Sequence, residues 1–325
     1  MTMKKETDKK VKLFLDSGAF SAWSKNVTID LNAYMQFIQD NEQYIEVYSN
    51  LDVIGSAEGS WKNQEIMEAN GFHPLPVFHL NDDVSSLYRC MEYPYFCLGG
   101  MAGRDCSEND RVQFLDSCWD IICDNKDRIP KQKVHGFGMT SLKLMLRYPW
   151  YSTDSTSWVM TSRFGSVYVP NIRDGKYVYN EDSWKVCVSQ RSPSVTEVGQ
   201  HFETFSAMEK KQILKYFDSK GFKLGKSEFR KEDPKYTPKD NERWFGKEEA
   251  DSQRNVRGDR NGYVNQGWTK ERTIEKVIEP GLSNDYKQRD EMNIIYFMDL
   301  EKSMPEWPWP WLSPKPKGFG MRRLK

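Results

Sequence analysis

The sequence is short of the features that settle a protein's class at a glance. Its 47 Lys and Arg are matched by 47 Asp and Glu, so no charge of one sign dominates, and a nucleic-acid partner has to be argued from a local basic surface. The four histidines, His73, His79, His135 and His201, are scattered, and the six cysteines show no CxxC pair. That removes the tight ligand cluster of a structural zinc and leaves reduced thiols as the expectation. No apolar run approaches the roughly 18 residues of a membrane span, and the opening MTMKKETDKK has no apolar stretch behind its charges, which predicts a cytosolic protein that does not enter a membrane. No internal repeat is visible beyond an alternation of strand and helix patterns.

What is present is the material of a large soluble domain: 325 residues, 38% hydrophobic, 14% aromatic and 29% charged. The most informative positive feature is a set of short apolar runs that end in polar residues or glycine. The clearest are LFLD at 13–16, followed by SGAF, and YSTD at 151–154, followed by STSW. An aspartate at the carboxyl end of a strand is poorly placed for packing and well placed for chemistry in a β/α barrel, whose active site is built from those ends. Asp16 and Asp154 therefore suggest a carboxylate pair.

Periodicity gives six strand and helix units in about 160 residues. Strands are expected at 11–15, 44–48, 75–78, 95–98, 133–136 and 151–153. The helices between them are expected at 29–39 (with Thr28 as cap), 61–69 (stopping at Gly71), 83–91, 108–123 and 141–147. Short connections argue for parallel strands joined by helical crossovers. Functional-looking residues after nearly every strand favour a TIM-type (β/α)8 barrel over an open sheet, which concentrates them at one switch point. Further on, 167–179 reads as a hairpin around Asp174 and Gly175, and 198–219 as a helix ending at Gly221. Residues 222–290 are polar with few apolar anchors. The barrel is thus expected over 1–220, with 221–325 an appended basic region ending in a Trp/Pro cluster (PEWPWPWLSPKP).

Four strings in order then resemble a known family, the tRNA-guanine transglycosylases. LDSGAFSAW (15–23) is similar to their DSGGF signature, CLGGMAG (97–103) to their glycine-rich base-binding loop, and HGFGM (135–139) sits where they carry another glycine turn. YSTDSTSW (151–158) falls where they place the nucleophilic aspartate. The resemblance covers roughly 11–175 and is nearest to the phage and bacterial branch that inserts 7-deazaguanine derivatives into DNA. It implies a (β/α)8 barrel that needs no cofactor. Asp154 would be the nucleophile on the sugar's anomeric carbon and Asp16 the general acid/base, a pairing that suits an oxocarbenium-like transition state. Asp52, Ser17, Gly99, Gly100 and Met101 would bind the base, with Phe20 and His135 sandwiching its ring and His79 standing where the family has a glutamine. The structural rivals are a turn cap for Asp16, a helix cap for Asp154, core packing for Phe20, and satisfied core histidines for His79 and His135.

Only Cys187 lies beyond Asp154, so the zinc site of the tRNA enzymes, with its CxCxxC and histidine, is not expected. Its absence favours DNA as the polymer partner, with tRNA as runner-up and a 7-deazaguanine base as second substrate. A target base in a duplex would have to be flipped out. The basic excess within 220–276 and the tail residues Lys315, Lys317, Arg322, Arg323 and Lys325 offer phosphate contacts, against the plainer reading of a solvated surface and a frayed end. Trp244, Trp268, Trp307, Trp309 and Trp311 offer stacking, though a packing strap is the more ordinary use. Beside exchange stand an N-glycoside hydrolase with the same carboxylates and a non-catalytic nucleic-acid-binding barrel.

Overall fold

The computed structural model describes residues 12–101, 106–139, 141–179, 183–191, 199–233, 235–245 and 272–312. The chain divides into two compact units, Met1–Ser155 with Pro305–Lys325, and Thr156–Met304. The border expected near residue 220 therefore falls inside the second unit. The tail cations beyond 312, Trp268 and most of the basic stretch 246–271 lie outside the described residues.

The first unit is an alternating α/β structure: β1 (Leu13–Leu15), α1 (Ala19–Ser24), α2 (Leu31–Asp40), β2 (Ile45–Tyr48), α3 (Ala57–Ala69), β3 (Val77–His79), α4 (Val84–Cys90), β4 (Tyr95–Gly99), α5 (Glu108–Ile122), β5 (Lys133–Gly136), α6 (Leu142–Arg147) and β6 (Ser152–Thr153). Every strand pairing is parallel. β1 pairs with β2, a bridge from Ser49 to Leu75 carries the ladder on, and β3, β4, β5 and β6 follow in order. Side chains alternate across this sheet. Phe78, Phe96, Leu98 and Val134 face a core shared with Phe114, Leu115, Cys118 and Trp119 of α5. The in-register Cys97, His135 and Ser152 face the other way.

The sheet is strongly curled. β1 and β5 are four strand spacings apart, which would be about 19 Å in a flat sheet. Yet the rings of Phe14 on β1 and His135 on β5 stack at 4.2 Å between centroids, 19° from parallel. As paired, the ladder has six strands, and among the described residues it is not closed into an eight-stranded barrel.

Several helix boundaries move for local reasons. α2 is capped by Asp30, whose carboxylate accepts from Ala33 N–H, and not by Thr28. α3 starts at Ala57 because Ser56 accepts from the Gly59 N–H, four residues ahead of the expected start. α5 carries a full capping box between Ser107 and Asp110. The Trp/Pro segment is a strap: Trp311 is 2% exposed, packs on Tyr148 at 4.9 Å and donates its backbone N–H to Arg128 O at 2.7 Å. Trp307 meets Tyr151 edge-on and donates to Pro149 O.

The second unit is mainly antiparallel. It contains α7 (Ser157–Arg163), β7 (Ser166–Val169), β8 (Asn171–Arg173), β9 (Lys176–Val178), β10 (Trp184–Cys187), α8 (Ala207–Ser219), β11 (Lys226–Glu232), β12 (Glu242–Phe245), β13 (Arg272–Glu279) and α9 (Tyr286–Ser303). The expected hairpin shrinks to β8–β9, turning at Asp174 and Gly175, both at positive φ, while β7 pairs with β10. The expected helix at 198–219 begins only at Ala207, set by the Ser206–Glu209 capping box. Within 222–290, expected to be polar with few apolar anchors, β11, β13 and β12 form a sheet with β13 in the centre. Val167, Val169, Val186, Phe202, Ile213, Phe217, Leu282 and Met292 make this unit's core.

Candidate active site

The candidate site lies in the first unit, at the carboxyl ends of its parallel strands. Asp16 follows β1 directly and is exposed. Its Oδ1 accepts the Gly18 N–H at 3.1 Å, so the turn cap weighed as a rival is formed. Gly18, at φ 73°, gives the chain the reversal that starts α1. Ser17 is buried and donates its N–H to Ser49 Oγ, tying this loop to the strand next door.

Asp154 follows β6, with its side chain 48% exposed. It does not cap the following helix, whose N-cap is Thr156. Instead Oδ1 accepts the Gly138 N–H at 2.8 Å, and the backbone of Asp154 pairs with Gly136 and Met139. Gly138 aims that N–H from a left-handed conformation, φ 61°. The glycine turn after β5 therefore holds the carboxylate after β6.

His135 also serves Asp154. It is 2% exposed, covered by Phe14 on one face and met edge-on by Phe137, so it has no free face with which to sandwich a base. That expected role gives way to one at the ring edge. Tyr95 Oη and Ser152 Oγ are 2.6 Å apart, Ser152 Oγ lies 2.7 Å from His135 Nδ1, and His135 Nε2 lies 3.4 Å from Asp154 Oδ1. With Tyr95 donating to Ser152 and Ser152 to Nδ1 the imidazole proton sits on Nε2, on the side of the carboxylate; the reverse direction puts it on Nδ1.

Asp52, in the loop after β2, forms a second group with His79 and Asp82. His79 Nε2 is 3.4 Å from Asp52 Oδ2, and Nδ1 is 3.4 Å from Asp82 Oδ2. Burial works against charge on this imidazole, but its two carboxylate neighbours override it and lift the pKa to about 10. Burial also pushes Asp52 up, against the opposing pull of His79. His79 is thus an imidazolium clamped between carboxylates and not an ordinary core histidine. Asp52 Oδ1 is buried with no protein donor. An unpaired acceptor of that kind is expensive to bury and suits a ligand that brings N–H groups.

The glycines of the β4 loop have definite neighbours. A Cβ on Gly99 would come within 3.2 Å of the His79 ring, and one on Gly100, at φ +78°, would sit 2.8 Å from Leu80 N. Gly99 makes room for the imidazole, and Gly100 for the chain beside it. Met101 buries its side chain in the helix-side core, and 102–105 lie outside the described residues. Phe20 is 46% exposed, tilted against Trp23 at 5.9 Å. It is not the core residue its type suggested.

One buried group reports that the carboxylates converge. The Cys97 thiol, facing inward from β4, is pushed well above the usual thiol range by burial and then by the charges of Asp52, Cys90, Asp154 and Asp16. Asp52 in turn feels Asp16. The three aspartates follow three different strands, β1, β2 and β6, and the Phe14–His135 stack brings β1 beside the ring that meets Asp154. Asp82, Ser152, Tyr95, Phe14 and Gly138 were missed in the sequence. Two left a signal: Asp82, three residues after His79 in HLNDD, and Gly138, inside the glycine turn HGFGM.

Among the described residues no group of three or more His, Cys, Asp or Glu is placed to hold a metal ion, and no helix is long and apolar enough to cross a membrane. Comparison of the chain with protein-family models, curated proteins and solved structures finds no match.

Proposed function

We propose that this protein is a transglycosylase that exchanges guanine in DNA for a 7-deazaguanine derivative through a covalent aspartyl intermediate, on a platform of the (β/α)8 barrel type. The observation that carries the reading is the placement of Asp16, Asp52 and Asp154 after the carboxyl ends of β1, β2 and β6 in a curled parallel sheet, where barrel enzymes assemble their sites.

In this reading Asp154 Oδ2 attacks the anomeric carbon of a flipped-out deoxyguanosine while the bond to the guanine N9 breaks. Gly138 N–H holds Oδ1, with the His135 ring edge beside it, and steadies the carboxylate for the in-line approach. Asp16 supplies the proton that the departing base requires, then takes one from N9 of the incoming base as that nitrogen displaces Asp154. The unpaired Asp52 Oδ1 accepts from the N–H groups of the base's Watson–Crick edge, with His79 beside the other carboxylate oxygen. The solvent-facing Phe20, on the helix that follows Asp16, is the available ring platform.

The test is incubation of the purified protein with radiolabelled guanine and, separately, duplex DNA or tRNA. Label entering DNA and lost in Asp154→Asn supports the reading. Label entering tRNA moves the protein to the sister substrate. Release of base without incorporation makes it a hydrolase, and no reaction leaves a nucleic-acid-binding barrel.

A further inference from the structure

The second unit contains a cavity of about 270 Å³ that no step of the exchange reaction uses. It is lined by Arg163, Arg191, Arg243 and Arg289, with Ser189, Ser283, Asn284 and Tyr286 completing the wall. Four arginines line one cavity, and among the described residues no carboxylate is part of its lining.

The acids described near it are few and mostly engaged elsewhere. Glu275, 1% exposed, is shared: its Oε2 lies 2.7 Å from Arg243 Nε and 3.5 Å from Arg191 Nε, while its Oε1 accepts from Ser227. Asp285 accepts the Lys287 N–H as the cap of α9, and Asp290 is hydrogen-bonded to Ser162. Arg289 donates to the carbonyls of Ser162 and Leu282 at 2.7 and 2.6 Å, and Arg243 to that of Asn284. Those bonds fix two guanidinium planes without cancelling their charge. Arg163 ends α7 at the exposed side. Ser283 Oγ, in a residue 6% exposed, is buried in this wall with no protein partner.

Burying like charges together is costly unless a counter-charge joins them. The strain is visible in Arg191 and Arg289, whose pKa values are pushed down to about 10, chiefly by burial, with Arg243 adding repulsion in both cases. Arginine is the side chain whose planar fork matches phosphate oxygens two at a time. We infer that this cavity is a binding site for a phosphate group, held by the four arginines with the Ser283 hydroxyl as a further donor. The phosphate arrives either in a nucleic-acid backbone or on a small phosphorylated molecule. The inference does not rest on the exchange reaction: it can fail with exchange intact and stand with exchange absent.

The experiment is calorimetric titration of the full chain with inorganic phosphate at fixed ionic strength, repeated with Arg163→Glu and Arg243→Gln, and then in competition with duplex DNA. Arg163 is exposed, so its variant keeps the fold, which circular dichroism checks. Saturable one-to-one binding that weakens at least tenfold in Arg163→Glu is the expected result. If the natural source is DNA, duplex displaces the phosphate, and Arg163→Glu lowers the slope of log affinity against log salt by about 1. If the source is a small molecule, phosphate binds and duplex does not displace it. Absence of saturable phosphate binding in the wild type, or binding unchanged in both variants, overturns the inference.

Discussion

The two units place charge in opposite ways. In the first, aspartates stand where parallel strands stop, and each is held by a neighbouring loop: Asp16 by Gly18, Asp154 by Gly138, Asp52 by His79. In the second, arginines from α7, the loop after β10, β12 and α9 line a cavity, and two of them, Arg191 and Arg243, share the buried Glu275. The first arrangement suits bond-making at an electron-poor carbon; the second suits holding an anion still. A formal net charge of zero conceals both, because each unit carries acids and bases in nearly equal numbers and the contrast is local to the two clusters.

The comparison breaks most sharply if the acidic mouth is not catalytic. Asp154→Asn is expected to lower exchange by about 10³–10⁴-fold with DNA affinity little changed, measured by label incorporation beside a binding isotherm. Asp16→Asn is expected to cost about 10²–10⁴-fold, with the loss shifted in its pH–rate profile because a proton carrier has gone. Equal loss of DNA binding in either variant would mean these carboxylates shape the fold and do no chemistry.

Stability sharpens the contrast next. Trp311→Ala empties a site filled against Tyr148 and should destabilise the first unit by about 3–5 kcal/mol, seen in denaturant unfolding, while catalysis at low temperature persists. A base-wedging role would instead remove activity and spare stability. Gly100→Ala, forced into a left-handed conformation against Leu80 N, should cost about 1–3 kcal/mol.

The smallest effect is one of pH. His79 binds its proton more tightly folded than unfolded, so its contribution to stability is complete below about pH 6.5 and is lost as pH rises towards about 10. In Asp52→Asn the upper edge of that window should move down, because one of the two carboxylates raising the imidazole has gone. Unfolding free energy measured from pH 6 to 10, with the His79 ring protons followed by NMR, checks both.

The parallel unit was largely legible in the sequence because its strands are short apolar runs with turn residues at their ends; β5 has the expected bounds, Lys133–Gly136. The second unit was not, and the reason is its polar interior. α9 buries Arg289, Met292, Asn293, Tyr296 and Leu300 along one face, so the stripe that marks a helix is interrupted by Arg and Asn. Asn293 is there to bond Tyr168 N–H and Trp158 O, which periodicity cannot announce. β13 likewise carries the buried Glu275 at its middle. In the site, the strand-end aspartates were readable from position. The functions of Gly138, Ser152 and Asp82 depend on contacts between separate loops or strands, or on a ring orientation, that no spacing encodes.

The account turns on a covalent bond to Asp154, and the most direct measurement is to quench a reaction of the protein with guanine-containing duplex DNA and examine it by denaturing electrophoresis and peptide mass spectrometry. A protein–DNA adduct on the peptide containing Asp154, absent in Asp154→Asn and discharged by added guanine or a 7-deazaguanine, is the result predicted. Exchange that proceeds with no such adduct, or an adduct on another residue, would contradict it.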